Sequence, residues 1–117
     1  MKIDIGPYSR NRWFSRKRKV KIKYDDYDTW SLDHTLSLII LPGLIQLKET
    51  NHGYAIVDSD DLPTACLKDA SGEEQWEWVM DEMIWAFTQL AEDHVSDNVR
   101  IANSLRLFGK YYRSLWD

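Results

Sequence analysis

"SGEEQWEWVMDEMIWAFTQLAEDH", residues 71–94, carries the clearest periodic signal in this 117-residue chain. Trp76, Val79, Met80, Met83, Ile84, Phe87, Leu90 and Ala91 recur at the 3.6-residue spacing of a helix with one buried face. Ser71 and Glu74 have the separation of a capping box, so the pattern predicts a helix over 72–94. Glu77, Asp81 and Glu92 fall on the opposite face, while Trp78 and Trp85, seven residues apart, form a second ridge beside Glu82. So apolar a stripe needs partner elements, and the flanking sequence offers one on each side.

Upstream, "YDTWSLDHTLSLIILPGLIQLKET" (27–50) predicts a helix over 28–49 with Asp28 or Thr29 as its N-cap. Leu32, Leu36, Ile39, Ile40, Leu44 and Leu47 make its stripe, and Trp30, Leu38, Leu41 and Ile45 widen it, so most of this helix is expected to be buried. Pro42 shares a face with Ser31, Thr35, Gln46 and Glu49, which predicts one helix kinked on its wet side. Downstream, Ser96 or Asp97 opens a third helix over 97–116 with Ile101, Leu105, Phe108, Tyr112 and Leu115 inward. Gly109 within it costs about 1 kcal/mol relative to Ala and predicts a close packing contact. In the linker of 50–72, "YAIV" is a candidate short strand and "DSDDLP" a turn closed by Pro63.

At the N-terminus the period changes to two. "MKIDI" (1–5) and "KVKIKY" (19–24) place Ile3, Ile5, Val20, Ile22 and Tyr24 on one side and lysines on the other, the pattern of half-buried strands. The fold class expected is α+β: one domain over 1–117, in which an N-terminal β-ribbon of two strands, with room for a third, packs on three α-helices. Residues 1–24 are its basic ribbon and loop.

Charge divides the chain at the same place. Residues 1–23 hold nine Lys/Arg against one Asp, a net of +8; the remainder carries −12, which gives the overall −4. Lysines on an edge strand discourage strand-to-strand aggregation, which accounts for part of the basic head. The stretch "RNRWFSRKR" (10–18) exceeds that need. A single cysteine, Cys66, excludes an intrachain disulfide and a thiolate metal cluster within one chain. "MKIDIGPYSR" lacks the apolar core of a signal peptide, and the longest apolar run, "LIILPGLI" (38–45), is too short to span a bilayer. A soluble intracellular protein with no membrane partner is expected.

Catalytic and metal-binding patterns are weak. Asp33, His34, Glu49, His52, Asp81 and Glu82 match no HExxH or EF-hand spacing, so no metal, cofactor or catalytic residue is assigned. Glu73, Glu74 and Glu77 have the EExxE spacing of all-α nucleoside triphosphate pyrophosphohydrolases, but Val95 stands where the aspartate of the following ExxD belongs. Acids in a first helical turn are also expected from the helix dipole alone. Cys66 and His34 have no partner motif for nucleophilic or general-base work.

Binding chemistry is better represented. Arg10, Arg12, Trp13 and Arg16 mix cations with rings, a composition suited to pairing with phosphate and stacking on a base. Arg106, Lys110 and Arg113 form a stripe at i, i+4 and i+7 that offers a second wall, with Tyr111 or Trp116 as a stacking surface. The plain alternative is that these cations neutralise acids of the preceding helix. The −12 body repels polyanions, which argues against duplex nucleic acid as a partner. A small anionic, nucleotide-like ligand or a host protein fits better, and a +8 arm beside a −12 body also suits a homo-oligomer.

"YDTWSLDHTLSLIILPGLIQLKETNHG", "WEWVMDEMIWAF" and "LRLFGKYYRSLWD" together resemble a family of small uncharacterised proteins of tailed bacteriophages, from about Lys19 to Asp117. The chain is shorter than members of that family at the N-terminus and between the later helices. The resemblance implies no catalytic residue. It implies a context, the cytoplasm of an infected bacterium, and a class of role: a non-catalytic accessory protein acting against host defence by sequestering a nucleotide-type ligand. A charge-driven inhibitor of a host protein and a metal-dependent nucleotide hydrolase are the alternatives.

Overall fold

The computed structural model describes residues 1–6 and 18–116. In chain order it contains strands β1 (Lys2–Ile5) and β2 (Val20–Lys23), then helices α1 (Asp26–Trp30), α2 (Leu32–Thr50), α3 (Ala65–Lys68), α4 (Gly72–Ala91) and α5 (Asn98–Lys110). Short 3-10 turns lie at Ser59–Asp61 and Tyr112–Ser114. The fold is α+β.

Helix α4 is the axis of the body. The Ser71 hydroxyl accepts the Glu74 N–H at 3.2 Å, satisfying one of the open donors of the first turn. Trp76, Val79, Met80, Met83, Ala86 and Phe87 are buried along it, joined by Leu44, Val57, Leu62, Leu107 and Tyr111 from the elements around it. Helix α2 runs antiparallel to α4: His34 Nδ1 donates to the Leu90 carbonyl at 3.1 Å near one end, and Lys48 pairs with Asp81 and Glu77 near the other. Helix α5 packs through edge-to-face contacts, Phe108 on Phe87 at 4.9 Å and Tyr111 on Trp76 at 5.8 Å between centroids. α4 ends at Ala91, three residues before the expected 94. Asp93 takes a left-handed turn (φ 53°), and the His94 N–H reaches back to the Gln89 carbonyl at 3.0 Å.

The ribbon is antiparallel, with Lys2 opposite Lys23, Ile3 opposite Ile22, Asp4 opposite Lys21 and Ile5 opposite Val20. The period-two reading of its two faces is therefore correct. Its burial is not: Ile5, Val20, Ile22 and Tyr24 are exposed. The segment 54–57 adds no strand among the described residues; Val57 is buried there while Ile56 is open to solvent.

The helix expected over 28–49 is two helices. The break falls at Ser31 (φ −127°, ψ 64°), and α2 runs on through Pro42. Pro42 is exposed, so the carbonyl left without a partner can turn to water. The inward face of α2 also differs from the expected stripe. Thr35 and Ser37 are buried, whereas Leu32, Leu36, Leu38 and Ile45 are exposed. Burial of the two hydroxyls is tolerable because each finds a local carbonyl, Thr35 to Asp28 at 2.9 Å and Ser37 to Asp33 at 2.7 Å.

Helix α5 stops at Lys110 rather than 116, and its inward face is Ile101, Ser104, Leu107 and Tyr111, with Leu105 and Tyr112 outward. The shift follows from Tyr111, whose ring lies on Trp76 and whose hydroxyl reaches a buried acid. Gly109 makes no close contact: a Cβ there would meet nothing within 4 Å, and nothing in the structure explains the glycine.

Candidate functional site

Three of the residues expected to bind an anion, Arg106, Lys110 and Tyr111, converge on one carboxylate of their own chain. Asp61, in the 3-10 turn after the 50–57 segment, has a side chain only 4% exposed. It accepts from Arg106 Nη1 at 2.9 Å, Lys110 Nζ at 2.7 Å and the Tyr111 hydroxyl at 2.7 Å. Burial alone would raise its carboxyl; the hydrogen bonds from Lys110, Tyr111 and Arg106 overcome that and hold it at about 2, below the ordinary 3.8. The hydrogen bonds to Asp58 and Asp61 raise Lys110 above its usual range, and burial followed by the Asp61 bond raises Tyr111. Tyr111 also accepts the Asp58 N–H at 3.0 Å, while Asn103 Oδ1 accepts from Arg106 Nε and Nη2. An incoming anion would have to displace carboxylates already in place.

Arg113, the last member of the expected stripe, lies in the closing 3-10 turn beyond α5, is exposed, and makes no ion pair among the described residues. Arg10, Arg12, Trp13 and Arg16 lie outside the described residues. The structure therefore joins Arg106, Lys110 and Tyr111 and leaves Arg113 apart.

A second internal cluster escaped the sequence. Glu82, on the buried side of α4, accepts from Arg100 Nε at 3.1 Å and Nη2 at 2.8 Å, a two-pronged pair, with the Ser104 hydroxyl at 3.4 Å. The Arg100 guanidinium lies 3.8 Å over the Trp85 ring. The pair raises Arg100 further above an already high value. These contacts join α4 to the first turns of α5. They are structural in kind.

Two regions are open instead. In the N-terminal half, the ribbon, α1 and the start of α2 expose Ile5, Val20, Ile22, Tyr27, Trp30 and Leu32. Tyr27 and Trp30 stack edge-to-face at 5.3 Å, yet both are more than three-quarters exposed. The Met1 amino group ties this region together, 2.9 Å from Asp25 and 3.1 Å from Asp28. The other ribbon face carries Lys2, Lys21 and Lys23, with Arg18 donating to the Gly6 carbonyl at 2.7 Å beside it.

The other open region is a groove at the far end of α2. One cavity of about 200 Å³ is lined by Asn51, Gly53, Tyr54, Trp76, Ser114 and Trp116 among others. A neighbouring one of about 170 Å³ shares Asn51, Gly53 and Trp76 and adds Lys48, Glu73 and Glu77.

Among the described residues no group of three His, Cys, Asp or Glu side chains is placed to hold a metal ion. Among them, too, no helix is long and apolar enough to cross a membrane. Comparison of the chain with protein-family models, with curated proteins and with solved structures finds no match.

Proposed function

We propose that the protein is a non-catalytic binding protein whose N-terminal half docks on an acidic surface of another protein, a charge-driven inhibitor or adaptor. The observation that carries this reading is the ribbon. Lys2 stands directly opposite Lys23, a like-charge pair that destabilises an isolated ribbon, while Ile5, Val20 and Ile22 behind it remain in water. Both costs fall when an acidic partner with an apolar centre covers the region. Tyr27 and Trp30 are the residue types that carry most interface energy. The phage resemblance supplies the setting, action on a host protein in the cytoplasm of an infected bacterium.

The test has two arms. Light-scattering mass of the purified protein at low and high salt reports self-association through the same surface. Binding of host proteins to the immobilised chain, eluted over a salt series, reports a partner. The expected result is a monomer that retains one acidic host protein, released steeply by salt and lost in Lys21→Glu, Lys23→Glu and Trp30→Ser. A salt-sensitive oligomer with no host protein retained contradicts the reading and makes a second copy the occupant. Retention unchanged in those variants also contradicts it.

Sequestration of a nucleotide-type ligand is the second reading. The ring-lined groove favours it; the engagement of Arg106 and Lys110 by Asp61 weighs against an anionic form of that ligand on α5.

A further inference from the structure

We propose that the groove between the end of α2, the start of α4 and the C-terminal turn binds an uncharged nucleoside, its base against Tyr54, Trp76 and Trp116 and its sugar towards Glu73 and Glu77. The groove lies at the opposite end of α2 from the docking face, so either assignment can fail without the other.

The floor comes first. Trp76 is only 3% exposed, and its indole N–H donates to no acceptor among the described residues. Among those residues no fully enclosed side-chain nitrogen or oxygen lacks a partner. The Trp76 N–H therefore keeps contact with solvent, and Trp76 lines both cavities. A donor whose partner is water can exchange that water for a ligand acceptor. Asn51 adds further donors, since its Oδ1 already accepts the Gly53 N–H at 3.0 Å and its amide NH₂ remains.

The walls are aromatic. Tyr54 and Trp116 are both more than half exposed. The Tyr54 ring is set from behind by Gly72, where a Cβ would stand 2.5 Å from Cε2; a side chain there would push the ring out of place. The first cavity, about 200 Å³, is smaller than the roughly 300–1,000 Å³ that holds a drug-sized molecule, which selects a single ring system. The second gives a ring substituent somewhere to go.

Charge then decides the class. The second cavity is rimmed by Glu73 and Glu77, and its one cation, Lys48, is held by Asp81 and Glu77. Carboxylates repel phosphate and accept from sugar hydroxyls, a use of Asp and Glu familiar from ribose recognition. Choline, a quaternary ammonium of the kind aromatic cages bind, is the control that separates ring recognition from cation recognition.

The experiment follows indole N–H signals by ¹H–¹⁵N correlation while adenosine, uridine, AMP and choline are added separately. Trp76→Phe assigns the key signal; if that variant does not fold, contacts from the indole to the Tyr111 ring assign it. The expected result is a downfield shift of the Trp76 signal with a nucleoside, weaker binding of AMP and no effect of choline. Trp116→Ala is expected to weaken nucleoside binding roughly tenfold. Gly53→Leu, at an exposed position without positive φ and with no neighbour within 4 Å of a Cβ, is expected to fill the groove and abolish binding while the other indole signals stay put. No shift with either nucleoside overturns the proposal. So does tighter binding of AMP or choline, or binding by Gly53→Leu equal to that of the unaltered chain.

Discussion

The C-terminal body and the N-terminal half of this chain treat charge and apolar surface in opposite ways. In the body, Asp61 and Glu82 are buried acids, and each is met by cations and hydroxyls of α5. In the N-terminal half, lysines face each other across a two-stranded ribbon, and two large rings touch mainly one another and water. The first region pairs its buried charges internally; the second has its charges and rings outside. The basic residues that look most like a ligand site in the sequence are internal braces, and the residues that look like ordinary strand core are open surface.

That contrast is broken most forcefully at Asp61. Asp61→Ala leaves Lys110 and Arg106 without their shared acid and Tyr111 without its acceptor; a loss of about 3 kcal/mol is expected, read as a lower urea midpoint with an unchanged slope. The same carboxylate sets an acid limit. Its folded value, about 2, lies below the ordinary 3.8, so its contribution, about 2 kcal/mol, is full above the ordinary value and is lost as pH falls through the folded one. Stability of the unaltered chain should therefore fall progressively from about pH 5 towards 2, and in Asp61→Asn this part of the fall should be missing. Tyr111 gives the alkaline counterpart: its value is raised, so the bond its phenol makes is present below the ordinary 10.0 and lost as pH rises past its folded value.

A smaller effect distinguishes a brace from a mere charge pair. Arg100→Lys keeps the charge but loses the two-pronged grip on Glu82 and the flat contact with Trp85. About 1 kcal/mol is expected, against about 2 for Arg100→Ala, which strands a buried carboxylate. Equal losses would show that the geometry of the fork is irrelevant. The smallest effect is expected across the divide: Trp30→Ser, at a residue 80% exposed, should alter stability by no more than about 0.5 kcal/mol while abolishing partner binding. A large loss there would mean that Trp30 is core.

The sequence made the body legible where one element reports on itself. The stripe from Trp76 to Phe87 and the Ser71–Glu74 cap are local patterns, and both stand in the structure. The braces were not legible because their partners are remote. Asp61 lies 45 residues from Arg106, in a "DSDD" run that reads as a solvated turn, and Glu82 reads as an acid on the edge of a helix. The available signal was the i, i+4, i+5 set of Arg106, Lys110 and Tyr111, three donors that can close on one carboxylate. Helix α2 misled for a different reason. Apolar residues occupy nearly every side of it, so periodicity could not tell the face; small hydroxyl residues that bond their own backbone, Thr35 and Ser37, took the inner positions.

Of the candidate binding residues on α5 and its closing turn, Arg106, Lys110 and Tyr111 meet on the protein's own Asp61, and Arg113 stands apart from them. Of the ring-lined groove the sequence pointed only to Trp116, as a stacking surface; Asn51, Trp76 and Trp116 meet only through the packing of α2, α4 and the closing turn.

Amide hydrogen exchange on the purified chain, followed residue by residue, tests the division between the two regions most directly. The account predicts that amides of α4 and α5 exchange only when the whole body unfolds. Those of β1, β2 and α1 should exchange through local opening, at least about a hundredfold faster. Equal protection of the ribbon and α4 in the monomer would contradict it, because a ribbon that resists exchange to the same degree is packed on the core and has no open face to offer a partner.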